Sequence, residues 1–359
     1  MADPYLSLIV RSRNDNHEGD LLHRMQISLN GLLGQLEKYR IESELILVEW
    51  NPPADRPLLK DVLKWPDRLR YCTIRIVVVP PAIHQRYEYS ERRSMNAVAA
   101  CNCAMRRARG KFILLSAIDL LYSDELMSCI GGKNLRKDEA YRADRSDVDR
   151  KVVQYSTLRE QLEYSGNNII QTKVHTPRGH QRFLPTRNRL PDLHTSAAGD
   201  FLLLAKEHWH LLHGYPETDV IGAYSDGLFC YMAYALGIKE VVLDESMRLF
   251  HIDHGDKFNE VIKETSLPFE NWLSFSFLPA WVSNKMMVLY RMFLSFFGYR
   301  FKSSFHGIPT INYYEYRKIA ADMVAGRRSY VFNDENWGLG QDSLEEIVIN
   351  TADWDRDRG

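Results

Sequence analysis

The run Ala108-Arg109-Gly110-Lys111-Phe112-Ile113-Leu114-Leu115-Ser116-Ala117-Ile118-Asp119 closes a helix, turns at a glycine, enters a buried strand and meets an acid just past it. The helix it closes runs from about Glu91, carries Met95, Val98, Ala99 and Met105 at helical spacing, and stops at Gly110. Upstream, Ile74–Val79 reads as a strand ended by Pro80-Pro81, Glu44–Val48 as another and Leu6–Val10 as the first. Leu22, Met25, Leu29, Leu32, Leu33 and Leu36 stripe a helix between the first two. Alternating strand and helix is the pattern of an α/β fold, here a doubly wound, mostly parallel sheet flanked by helices. In such sheets ligands bind beyond the carboxyl ends of the strands, so Asp119 stands where chemistry is expected.

Regular structure is harder to read further on. From Gly131 to about Pro191 a mixed-charge stretch, Lys133 to Lys151, gives way to a polar segment with several Arg and His residues; surface helices and long loops are expected there. Phe201–Leu204 is a strand, Lys206–His213 a short helix closed by Gly214, and Asp226–Leu236 a helix with Gly237 at its end. Strands Glu240–Leu243 and Met247–Phe250 follow. From about Lys257 the pattern is helical and aromatic, then acidic at the end. The expected organisation is one α/β domain over 1–260, with its regular structure in two stretches at about 1–125 and 190–260, then a helical extension over 261–359.

Composition narrows the function. A formal net charge of -1 argues against a broad nucleic-acid-binding surface. Cys72, Cys101, Cys103, Cys129 and Cys230 are odd in number, lack CxxC spacing and lie mostly in apolar segments, so they read as reduced and buried. No signal-like apolar stretch precedes Leu6, and a cytoplasmic location is the default expectation. The Trp272–Tyr299 segment is rich in Phe, Leu, Met and Trp, but Ser residues, Asn284, Lys285 and Arg291 interrupt it. A spanning helix needs about 20 mainly apolar residues; a core helix pair is the favoured reading, a peripheral surface resting on lipid across 272–299 the other. His208, His210 and His213 read as structural or surface residues.

No phosphate-loop, GxGxxG, GxSxG or HExxH motif is present, which disfavours several enzyme classes at once. Polar groups cluster instead at strand ends: Arg11-Ser12-Arg13-Asn14-Asp15 after the first strand and Glu49-Trp50-Asn51 after the second. An acid there suits a base or ribose, and Arg11, Arg13, Asn14, Glu49, Arg93 and Asn96 are candidates to hold a nucleotide.

With these residues in view, the chain resembles the GT-A fold glycosyltransferases, of the inverting, family 2-like type. The first part of the likeness is Asn96 on a helix, then Ala108-Arg109-Gly110, the strand Phe112–Leu115 and Ala117-Ile118-Asp119 in the place of the family's Asp-X-Asp metal motif. Only the last carboxylate carries over, because position 117 is alanine. The second part is His194-Thr195-Ser196-Ala197-Ala198-Gly199-Asp200-Phe201, Gly214-Tyr215-Pro216-Glu217, Ser225-Asp226-Gly227 and His251-Ile252-Asp253-His254.

The resemblance implies a metal-dependent transfer of a sugar from a nucleotide diphosphate donor, a UDP-sugar before GDP- or dTDP-sugars, to a glycan or other hydroxyl. It implies Asp226 as base, Asp119 with His251 or His254 at the metal, Asp119 also on the donor side, and His194, Gly199 and Asp200 near the acceptor. Oxygen plus imidazole donors suit Mn²⁺ better than Mg²⁺. The plainer readings are helix caps for Asp119 and Asp226 and a surface turn for the histidines. Two rival functions share the scaffold: a catalytically silent nucleotide- or sugar-binding protein, favoured by Ala117, and a nucleotide-sugar hydrolase.

Overall fold

The apolar runs read from the sequence form the centre of one sheet. Strands β1 (Leu6–Ser12), β2 (Ser43–Trp50), β3 (Cys72–Val79) and β4 (Phe112–Leu115) are almost wholly buried and pair in parallel. Strands covered on both faces read as continuous Leu, Ile and Val rather than as an alternating pattern. The structure, a computed structural model, describes residues 3–16, 19–175, 190–217, 224–254, 308–311, 313–350 and 352–353, with short pieces at 262–264, 286, 289–290, 293–294 and 303–305.

Beyond β4 lie β5 (Leu120–Tyr122), β6 (Glu139–Arg142), β7 (Arg145–Val148) and β8 (Ile169–Lys173), then β9 (Leu202–Ala205), β10 (Lys239–Val242) and β11 (Leu249–Ile252). The chain continues with β12 (Ile262–Glu264), β13 (Ser303–Phe305) and β14 (Ile308–Thr310), which form a small antiparallel sheet, and β15 (Glu345–Asn350). The main sheet has the order β10-β6-β9-β4-β1-β2-β3-β15, with β9 and β15 running against the other strands. A second sheet, β5-β11-β7-β8, adjoins the end of β4.

Alternate residues of β1 feed opposite cores. Leu6, Leu8 and Val10 pack with Met25, Leu29, Leu32 and Leu36 of the helix Leu21–Lys38. Ile9 packs instead with Ala99, Ala100, Cys103 and Met105 of the helix Ala97–Arg107. Gly110 lies where no side chain fits: a Cβ there would sit 2.5 Å from the Ser7 amide nitrogen. A buried network locks the same corner. Ser7 Oγ donates to Glu44 at 2.6 Å, and Arg75 bridges Glu44 at 2.6 Å and Glu346 at 2.8 Å, tying β15 to the sheet.

Several expectations change. The stretch expected to be surface helices and loops contains β6, β7 and β8, and β6 is fully buried between β9 and β10. Its charged residues are engaged inside: Tyr141 Oη donates to Glu139 at 2.7 Å, and Arg142 donates through Nε and Nη2 to the carbonyls of His194 and Ser196. The helix expected from Glu91 begins at Ala97, where the Asn96 side chain caps it by accepting from the Ala99 amide. The C-terminal region holds a helix, Tyr313–Val324, but ends in β15, a strand of the main sheet. Cys72, Cys101, Cys103 and Cys230 are buried and Cys129 half-buried, all as free thiols.

The three histidines of the helix Lys206–Leu211 and its end bind structure: His208 pairs with the Lys137 carbonyl, His210 meets Trp337 edge-on, and His213 stacks on Trp337. Most of 272–299 lies outside the described residues; Met286, Leu289 and Phe293 within it are exposed. No helix among the described residues is long and apolar enough to cross a membrane.

Candidate active site

Sheet pairing brings the candidate ligands together. Asp119 leads directly into β5, and β5 pairs antiparallel with β11 so that His251 lies opposite Leu120. The pairing extends one step further, with the Ile252 amide donating to the Asp119 carbonyl at 3.1 Å. The His251 ring therefore sits beside the Asp119 carboxylate, and His254, just past the strand, folds back to the same point.

Asp119 Oδ2 is 3.7 Å from His251 Nε2 and 3.4 Å from His254 Nε2, and the two Nε2 atoms are 3.2 Å apart. One ligand atom from each residue falls within a 4.8 Å group. An ion about 2.1 Å from three ligands at 90° to tetrahedral angles would hold them about 3.0–3.4 Å apart. The two His254 separations, 3.4 Å and 3.2 Å, fall in that range and the 3.7 Å between Asp119 and His251 exceeds it by about 0.3 Å, so these side chains fit a divalent cation after a small contraction. Arg24 Nε lies 4.0 Å from the same Asp119 oxygen. Burial alone would push the Asp119 carboxyl up; hydrogen bonding with His254 and the charges of His251, His254 and Arg24 outweigh it and hold the group below the ordinary carboxylate range.

His251 is oriented from behind. Asp147 Oδ1 accepts from His251 Nδ1 at 2.9 Å, which leaves Nε2 facing Asp119. Burial tends to raise the Asp147 carboxyl, but His251 and Arg145 overcome it and hold the group low. Arg145 Nη2 lies 2.7 Å from Asp147, and its Nη1 donates to Asp200 at 2.6 Å.

Asp200 belongs to the loop that reaches Asp226. The Asp226 carboxylate accepts from the Gly199 amide at 3.0 Å and from the Gly227 amide at 2.8 Å. The helix starts at Ser225, so Asp226 sits in its first turn rather than at the cap. Burial raises the Asp226 carboxyl above its ordinary value; the two amides offset part of this, and nearby Asp200 adds to it. Arg11, at the end of β1, donates to the Ser116 carbonyl at 3.2 Å and lies within electrostatic reach of both Asp200 and Asp119. Asp119, His251, His254, Arg11, Gly199, Asp200 and Asp226 thus share one rim.

Other candidate positions are engaged within the fold. Both Glu49 oxygens accept from the Leu59 amide, and burial pushes its carboxyl up to about 7. Asn14 donates to the Pro57 carbonyl, Asn96 is a helix cap, Arg13 pairs with Asp15, and Arg93 donates to the Glu88 carbonyl. His194 is almost wholly buried and pairs with Asp144 at 2.9 Å; burial, with Arg142 nearby, pushes its imidazole down to about 3. Its carbonyl accepts from Arg142, which ties the start of the 194–200 loop to β6. Arg24, Arg145 and Asp147 were not singled out from the sequence. The alternation Arg145-Ser146-Asp147-Val148, polar on one face and buried on the other, was the available signal.

No protein-family model matches the sequence, and no curated protein matches it. Among solved structures, the chain is similar to the mannosyltransferase PcManGT from Pyrobaculum calidifontis in complex with GDP-Man and Mn²⁺, with 12% identity, 71% of this chain and 58% of that one covered, and a TM-score of 0.38. It is similar to S. aureus TarS 1-349, with 14% identity, 69% and 60% coverage and a TM-score of 0.41. A third is the catalytic domain of Drosophila beta1,4galactosyltransferase 7 in complex with xylobiose, with 13% identity, 71% and 72% coverage and a TM-score of 0.33. The chain spans less than two thirds of the first two structures. At these values, function rests on the residues of the site itself.

Proposed function

We propose that this chain is a divalent-cation-dependent glycosyltransferase that moves a sugar from a nucleoside diphosphate donor, a UDP-sugar first among the candidates, to an acceptor hydroxyl with inversion. The carrying observation is the convergence of Asp119, His251 and His254 on one point at the carboxyl edge of the sheet.

Asp119, His251 and His254 would hold the cation, with Mn²⁺ favoured over Mg²⁺ because two of the three donors are nitrogen. Such a cation, when bound, offsets the charge that develops on a diphosphate leaving group. Arg11 adds fixed positive charge at the same rim. Asp226 is placed by two backbone amides and made more basic than a surface carboxylate by burial and by Asp200. It would take the proton of the acceptor hydroxyl as that oxygen attacks the anomeric carbon. Attack and departure on opposite faces of the sugar give inversion. Gly199 and Asp200, on the loop that meets Asp226, form the acceptor side.

Ala117 and the internal commitments of Glu49 and Asn96 favour a second reading, a catalytically silent binder of nucleotides or sugars. Incubation with a panel of nucleotide sugars, Mn²⁺ and mixed acceptors separates the two. Transfer, or slow donor hydrolysis that added acceptors intercept, supports the transferase. Donor binding without turnover across the whole panel supports the binder, and free sugar that no acceptor intercepts supports a hydrolase.

A further inference from the structure

The strand pairing that assembles the ligands also builds a support behind them. β7 runs parallel to β11 with Asp147 opposite His251 and Arg145 opposite Leu249. Arg145 and Asp147 are two residues apart on a strand, so both project to the site face. Ser146 and Val148 point the other way and are fully buried, Val148 within a small core with Phe250 and Ile252. The support is thus anchored by packing on the far face of the same two strands.

One Asp147 oxygen serves two partners, His251 Nδ1 at 2.9 Å and Arg145 Nη2 at 2.7 Å. The other end of the guanidinium holds Asp200 at 2.6 Å. All three side chains of this chain of contacts are mostly withdrawn from solvent, at 13% exposure for Arg145, 13% for Asp147 and 16% for Asp200. Contacts of this kind are screened much less than surface pairs. An imidazole free to flip or to place its proton on Nε2 is a poor ligand, and the partner on the other ring nitrogen decides which nitrogen is available.

Resting on the metal-dependent reading above, we infer that Asp147 and Arg145 are positioning residues: Asp147 fixes His251 as an Nε2 ligand, and Arg145 links that ligand to Asp200 on the acceptor side. Occupancy of the cation site is then felt at Asp200 through a single guanidinium. The same link lets a change at Asp200 alter cation affinity although Asp200 touches none of the three ligands.

The experiment uses the full chain in two measurements. Long-range ¹H–¹⁵N spectra of the metal-free protein report the His251 tautomer. Wild type is expected to carry its proton on Nδ1, and Asp147→Ala to lose that preference, with Asp147→Asn, which keeps an acceptor oxygen, in between. Calorimetric titration with Mn²⁺ alone then gives affinity, expected to fall about 10–100-fold in Asp147→Ala and less in Asp147→Asn. For the link, Asp200→Asn is expected to weaken Mn²⁺ binding in an Arg145-containing protein and to have no further effect in an Arg145→Ala background. An unchanged tautomer and affinity in a folded Asp147→Asn and Asp147→Ala pair overturns the positioning role and leaves the transferase reading standing. Equal effects of Asp200→Asn in both backgrounds overturn the link. Wild type that takes up no Mn²⁺ overturns the metal-dependent reading itself, and this inference with it.

Discussion

Replacing Asp226 by asparagine isolates the proton-accepting role from the structural one. The side chain keeps its size, and one oxygen remains to accept from either Gly199 or Gly227, now bonded at 3.0 Å and 2.8 Å. The other amide then faces an NH₂ group, a lost buried bond worth about 1–3 kcal/mol. Against this, the substitution removes a charge that burial and Asp200 already disfavour in the fold. The sign follows from the raised carboxyl: its contribution to stability is greatest below the unfolded carboxylate range and is lost as pH rises through the folded value. At neutral pH the two effects oppose each other, so the melting temperature is expected to move by no more than about 5 °C. Transfer is another matter. A carboxamide cannot take the acceptor's proton, and the rate is expected to fall about 10²–10⁴-fold, or about 3–5 kcal/mol of barrier. Initial rates at saturating donor, with donor affinity from calorimetry, give the answer. A variant that binds donor normally and keeps more than about a tenth of the wild-type rate removes Asp226 from the chemistry.

Other changes test the fold around the site. Glu49, pushed up to about 7 by burial, makes wild type gain stability as pH falls from above 7 towards 4.5, by up to about 3 kcal/mol; urea midpoints at pH 8 and pH 5 should differ less in Glu49→Gln, and an equal difference contradicts the burial argument. Gly110→Ala drives a Cβ to 2.5 Å from the Ser7 backbone nitrogen and is expected to cost about 1–3 kcal/mol in urea denaturation, whereas unchanged stability would mean the strand end is free to shift. Arg75→Ala leaves Glu44 buried without its 2.6 Å partner and should cost about 3–5 kcal/mol, with β15 amides exchanging faster because the Glu346 tie is lost as well.

The legible parts of the sequence were those where one residue class meets one environment. β1 to β4 are apolar on both faces, so continuous runs gave their places, and Asp119 stood out as the acid past a buried strand. The histidines were placed by resemblance, while their convergence on Asp119 depends on the β5–β11 register, a long-range pairing that local pattern does not encode. β6 and β7 escaped for a physical reason. Glu139, Arg142, Arg145 and Asp147 are charged yet withdrawn from solvent, each paired within the fold, and hydropathy reads such residues as surface. β15 was taken as part of a helical and acidic tail because its apolar run, Ile347-Val348-Ile349, is only three residues long and follows Glu345-Glu346. Glu49 and Asn96 had the right chemistry at the right edge, but backbone amides claim them.

The proposed chemistry depends on Asp119, His251 and His254 holding one divalent ion between them. Anomalous diffraction from a crystal grown with Mn²⁺ and UDP tests it directly. A single manganese peak is expected about 2.0–2.2 Å from Asp119 Oδ2 and from both Nε2 atoms, with the diphosphate beside it. A map with UDP bound and no manganese at those three atoms would overturn that arrangement.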